Sequence, residues 1–167
     1  KTDRQARKWQ QDASRELEAY QRTKQVMVEA SNLVRQRRFV EARSALQIDP
    51  VAVLLQEQHQ RQRQIADTLI DADRAELDGG EWQVALAGYR SVLEMDRSLE
   101  AVLRVDIDRC RGKLMDAVSE QVQTALAAVP PNTERAAQLL DQAEASDLVG
   151  DADRQVVRRL RTRISGL

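Results

Sequence analysis

From position 51 to position 78 the chain runs for 28 residues without a glycine or a proline. That run most limits what the chain can fold into. Nothing in it interrupts helical hydrogen bonding, and its Gln, Arg, Glu, Ala and Leu residues favour helix. At 1.5 Å rise per residue it predicts a rod about 42 Å long. Its middle, residues 56–64, is wholly polar and holds the single histidine, His59, expected on a solvated helix surface. Its ends are apolar, with Val51, Leu54 and Leu55 before the polar waist and Ile65, Leu69 and Ile70 after it. Such a helix is expected to bridge two packing units with its waist in water.

The rest of the chain is punctuated at Asp49-Pro50, Gly79-Gly80, Pro130-Pro131-Asn132 and Gly150, and more weakly at Arg37-Arg38 and Asp96-Arg97-Ser98. Between these points apolar residues recur at helical spacing, with no sustained period-two alternation. The expected fold is therefore all-α, with helices over residues 3–36, 39–47, 51–78, 81–95, 98–129, 134–146 and 151–164. Asp49 is placed to cap the third helix with Pro50 in its first turn, and Asn132 or Thr133 to cap the sixth. Aromatic residues are only 3% of the chain, so Leu, Val and Ala must fill the core.

The first segment sets Ala6, Ala13, Tyr20, Met27 and Val34 at seven-residue intervals, with Trp9, Leu17, Ala30 and Leu33 on the same broad face. Such a repeat makes a seam for another helix. Glu16 and Thr23 occupy the other seam position, which favours packing on a neighbouring helix over an autonomous coiled coil. That neighbour can lie in this chain, in another protein, or in a second copy. Aromatic anchors dominate binding energy, so Trp9 and Tyr20 are the leading partner-binding candidates. Trp82 and Tyr89 are assigned to the core.

Three short helices repeat one packing device: Ala42 with Leu46, Ala85 with Tyr89, and Ala136 with Leu140. Each pair follows a residue three positions earlier, namely Phe39, Trp82 and Thr133. A small residue lets two helices approach while the bulky one fills the groove beside it. The small residues lie 43 and 51 positions apart, a spacing found in stacked helical repeats. The run from Gly80 to Asp96 resembles the second half of a tetratricopeptide repeat. Gly80 matches the turn between paired helices, Trp82 and Ala85 the start of the second helix, Tyr89 and Val92 its packing face, and Asp96 the capping position. Upstream, Leu69 and Ala72 match, whereas Asp73 and Glu76 stand where the family keeps small or apolar residues. The usual terminal proline is Arg97 here and is present as Pro50 in the first unit. The resemblance implies a tetratricopeptide-like α-solenoid of alternating long and short antiparallel helices that works by holding proteins. On this reading residues 1–36 form a long N-terminal helix and residues 37–167 about three degenerate repeats, packed with it as one domain. Fused long helices replace the usual tight pairs, so the resemblance does not carry over a concave peptide groove.

The sequence carries little that suits catalysis or metal binding. As a catalytic base His59 needs a nucleophile or an orienting carboxylate nearby in space. The sequence offers Glu57, close to it along the chain, or an acid from elsewhere in the fold; a solvated surface histidine is the expected reading. Cys110 sits on an apolar helical stripe and is expected to be a buried small hydrophobe. One histidine and one cysteine make no soft-ligand metal set. Asp71 and Asp73, like Asp106 and Asp108, are two residues apart on helices and so point about 160° away from each other. Asp151 and Asp153 suit a helix N-terminus. No phosphate-binding loop, calcium loop or nucleophile elbow occurs. The chain is therefore expected to be neither an enzyme nor a cofactor or metal carrier.

The net charge of −1 draws no nucleic acid as a whole. Arg35, Arg37, Arg38 and Arg43 cluster at the first turn, and Arg154, Arg158, Arg159, Arg161 and Arg163 on the last helix. Neither cluster is interleaved with aromatics and acidic residues intervene, so a solvated face or contact with an acidic protein partner fits them better than nucleic acid. Arg35, Arg38, Arg158 and Arg159 join the candidate contact residues. No apolar run approaches the ~20 residues of a membrane span, so a soluble segment is expected, with its compartment open. The chain opens at Lys1 instead of Met. A second reading therefore makes it a spacer within a larger, envelope-anchored multidomain protein, periplasmic in that case and otherwise cytoplasmic. Nucleic-acid binding through the Arg clusters ranks third.

Overall fold

The structure, a computed structural model, describes residues 2–150 and 153–166. Among them it is all-α. Seven helices follow in order: α1 (Thr2–Arg35), α2 (Phe39–Ala45), α3 (Gln56–Leu77), α4 (Trp82–Met95), α5 (Glu100–Ala127), α6 (Thr133–Ala145) and α7 (Arg154–Ser165). Single 3₁₀ turns at Val53–Leu55 and Arg97–Leu99 lead into α3 and α5. No helix among the described residues is long and apolar enough to cross a membrane. The expected role of Asp151 at the start of the last helix lies outside the described residues.

The local chemistry that sets the boundaries is visible. Asp96 accepts the Ser98 N–H at 3.0 Å, as the resemblance implies, and Asn132 accepts the Arg135 N–H at 2.9 Å, which makes it the cap instead of Thr133. The weak breaker at Arg37-Arg38 stops α1 by geometry. Arg37 adopts a left-handed backbone (φ 62°) while the Arg38 N–H closes on the Leu33 carbonyl at 2.9 Å. Asp147 ends α6 in the same way, with φ 54° and the Leu148 N–H on the Ala143 carbonyl at 3.0 Å. This satisfies carbonyls that a helix end leaves open.

The third helix starts later than its composition predicts. Asp49 caps nothing and Pro50 lies outside the helix: Ala52 is extended, a 3₁₀ turn follows, and α3 begins at Gln56. The reason lies on α1. Thr23 Oγ1 accepts the Ala52 N–H at 3.1 Å and Glu16 Oε1 accepts the Val53 N–H at 3.2 Å. The two polar residues that interrupt the heptad seam thus hold the backbone that feeds α3.

Two compact units divide the chain. One comprises Lys1–Asp73 with Ser91–Val102, the other Arg74–Arg90 with Leu103–Leu167. The core of the first includes Ala30, Val34, Phe39, Ala42, Leu46, Ile65, Ala66, Leu69 and Leu99. The second is built on Met115, Val122, Leu126, Ala136, Leu139, Leu140, Ala143, Val157 and Leu160. Ala42, Ala85 and Ala136 are wholly buried, as are Tyr89 and Leu140, and Leu46 is nearly so. The small-and-bulky pairs are therefore packing positions. Trp82 falls short of its assignment: as the first residue of α4 it is only half-buried.

Candidate partner-binding surface

Helix α1 has two different halves. From Thr23 onward it buries Thr23, Ala30 and Val34, packing on α2 and on the 3₁₀ turn. Residues 5–18 are exposed without exception. Trp9 is 70% exposed and Leu17 58%, so the predicted seam reaches solvent there instead of closing on another helix of the chain.

The outward face of α1 continues into a groove. Tyr20, Lys24, Met27, Val28, Ser31, Asn32 and Arg35 form one wall, and Leu55 and Gln58 the other, enclosing about 480 Å³. Val28 is 56% exposed, and Leu54, beside the second wall, is 80% exposed. At 100° per residue Trp9, Leu17, Tyr20, Lys24, Val28 and Arg35 all fall within an arc of about 100°. The stripe and the groove are therefore one surface. Trp9, Tyr20 and Arg35 come together on it. Lys24, Val28 and Leu55 were absent from the sequence-derived set, and winding α1 at 100° per residue would have found the first two.

The other candidates lie elsewhere. Arg38 is tied to its own helix, where Nε donates to Glu41 Oε1 at 2.7 Å and the guanidinium forms an ion pair with the same carboxylate. This contact lowers the Glu41 pKa and raises that of Arg38. Arg158 and Arg159 are exposed on α7, whose Val157 and Leu160 face the core of the second unit. Arg161, their neighbour, bonds Asp141 at 2.7 Å and pairs with Glu144 on α6.

His59 is not where its polar surroundings place it. It is buried, and its Nε2 donates to the Leu46 carbonyl at 2.9 Å. Burial pushes its pKa down, and the Arg63 cation adds to the effect. Around His59 the waist of α3 is exposed as expected at residues 56–58, 60, 61, 63 and 64, with Gln62 half-buried, and it supplies donors to neighbouring elements. Arg61 bonds the Met95 carbonyl, and Gln62 Nε2 donates to Ser31 Oγ at 2.9 Å. Leu46 and Met95 lie at the ends of α2 and α4, where carbonyls lack helical partners.

The second unit holds an ionic cluster of two buried carboxylates and a half-exposed arginine. Glu76 is buried on α3, accepting Tyr89 Oη at 2.8 Å and the Arg109 guanidinium. Asp106, also buried, accepts Arg109 Nη2 at 2.7 Å. Glu76, the mismatch with the tetratricopeptide pattern, is thus compensated by a tyrosine hydroxyl and an arginine. Cys110 is wholly buried, as expected, and its pKa is pushed up to about 11, first by burial and then by the nearby Glu76 carboxylate. It stays a thiol at neutral pH. Among the described residues no group of three or more His, Cys, Asp or Glu is placed to hold a metal ion. No protein-family model matches the chain, and no curated protein or solved structure is significantly similar to it.

Proposed function

We propose that this chain is a non-catalytic helical scaffold that holds other proteins, with the outward face of α1 as its principal contact surface. The observation that carries this reading is the exposed apolar stripe through Trp9, Leu17 and Val28 on a helix whose second half is anchored in the core. Large apolar side chains in one line on a rigid element have the arrangement of a binding surface rather than of scattered surface residues. A tetratricopeptide-like solenoid is the architecture we propose for the scaffold. The three buried pairs Ala42/Leu46, Ala85/Tyr89 and Ala136/Leu140 support it.

The test compares wild type with Trp9→Ala/Tyr20→Ala by crosslinking in cells and by oligomeric mass in solution. Loss of specific crosslinked partners, or a fall in mass, is the expected result. Unchanged partners together with unchanged mass would refute the assignment of α1 as the contact surface.

A further inference from the structure

The groove on α1 sets Met27, Val28 and Leu55 beside the neutral Ser31, Asn32 and Gln58 at its centre and a cation near each end. Met27 lies midway along it, and Lys24 and Arg35 are the charged side chains among the described residues that line it. Eleven residues separate the two cations, about 16 Å along the axis and within about 20° of each other around it. Glu16, the nearest carboxylate on that side of α1, is occupied by the Val53 N–H. We propose that the groove receives an amphipathic helix of another protein carrying carboxylates at positions i and i+11, with apolar residues on the same face between them. This rests on the reading of α1 as a contact surface and names its occupant.

Three arguments select that partner. Positions i and i+11 share one face of a helix, so a single partner helix lying along α1 meets both cations at once. The lack of a sheet edge among the described residues favours a helix over an extended peptide. An extended peptide takes its affinity from the open edge of a sheet, and no strand occurs among the described residues. Charge disfavours a second copy of α1. Residues 5–35 carry Arg7, Lys8, Arg15, Arg22, Lys24 and Arg35 against Asp12, Glu16, Glu18 and Glu29, six cations to four anions. The i and i+11 pair Glu18/Glu29 has Arg22 and Gln25 between its members on that face, where apolar residues are required. A second α1 would bring net positive charge to a positive groove.

The experiment uses the whole chain and a labelled helical peptide of about 18 residues. The peptide has Glu at positions 4 and 15 and Leu at positions 7, 8, 11 and 12; a control has Lys in place of both Glu. Fluorescence anisotropy at low ionic strength should show the acidic peptide binding about tenfold more tightly than the control, the scale of two exposed ion pairs exchanged for repulsions. Lys24→Glu/Arg35→Glu should reverse that preference, whereas Arg158→Glu/Arg159→Glu should leave it intact. Equal binding of both peptides, lost on Tyr20→Ala, would overturn the acidic partner and leave the contact surface standing. No binding of either peptide, with a dimer in sedimentation that Tyr20→Ala dissociates, would replace the partner by a second copy. No binding and a monomer would also overturn the proposal. The scaffold reading is then decided separately by the crosslinking comparison.

Discussion

The two units bury their polar residues by opposite means. In the first, the buried polar side chains among the described residues are Thr23 and His59, both neutral and both bonded to backbone groups at the start or end of a helix or 3₁₀ turn. In the second they are Glu76 and Asp106, carboxylates held by an arginine and, for Glu76, also by a tyrosine. The first unit also leaves half of its longest helix in solvent, while α5, the longest wholly described helix of the chain after α1, buries residues from Leu103 to Leu126. A neutral group on a backbone partner organises chain geometry. A charged group on a side-chain partner leaves an uncompensated charge when that partner is lost. The second unit should therefore be the more sensitive to side-chain truncation, and the exposed half of α1 the least.

The largest contrast should come from two leucine truncations. Leu103 is wholly buried on α5, so Leu103→Ala should cost about 3 kcal/mol through lost transfer energy and a residual cavity. Leu17 is 58% exposed on α1, and Leu17→Ala should change stability by less than about 0.5 kcal/mol. Urea unfolding with an unchanged slope measures both. Comparable losses would mean that the first half of α1 is covered after all, and the comparison between the units would fail.

Tyr89→Phe should have the next largest effect. It removes the hydroxyl that donates to Glu76 at 2.8 Å and nothing else of the ring. A hydrogen bond to a buried carboxylate is worth about 2 kcal/mol, because the acceptor keeps its desolvation cost when the donor is deleted. Adding Glu76→Gln should recover part of that loss, since an amide tolerates burial better than a carboxylate left with Arg109 as its remaining described partner. A double variant no more stable than Tyr89→Phe would show that Arg109 alone sustains the carboxylate.

How much of this was legible in the sequence follows from the same division. Helical periodicity and breakers located the seven helices of the described residues; residue type narrowed one cap to Asn132 or Thr133, and the tetratricopeptide resemblance supplied Asp96. Arg37 and Asp147 gave no comparable signal, because a left-handed residue closing a helix is a property of the backbone around it. Glu16 and Thr23 read as flaws in a seam, since the loop backbone they satisfy comes from about thirty residues further on. Glu76 read as a mismatch for the same reason: its partners, Tyr89 and Arg109, lie on other helices. The stripe through Trp9 and Tyr20 was legible because it lies on a single helix. The groove was not, because Leu55 and Gln58 reach it only through tertiary packing.

His59 offers the finest test, by titration instead of truncation. Burial and the Arg63 cation hold its pKa below the ordinary value of 6.5 in the folded state. The unfolded chain therefore takes up the proton first as pH falls. The stability His59 contributes is fully present above the unfolded value and is lost progressively as pH drops through the lower folded one. Between about pH 7 and pH 5 ordinary carboxylates have yet to titrate, so this window isolates the imidazole. Urea unfolding across it should show stability falling toward pH 5 in wild type and a flatter profile in His59→Gln. That variant keeps an N–H for the Leu46 carbonyl and has no proton to gain. A profile equally steep in both would assign the pH dependence to other groups. It would also remove the claim that the first unit keeps its buried polar residues neutral.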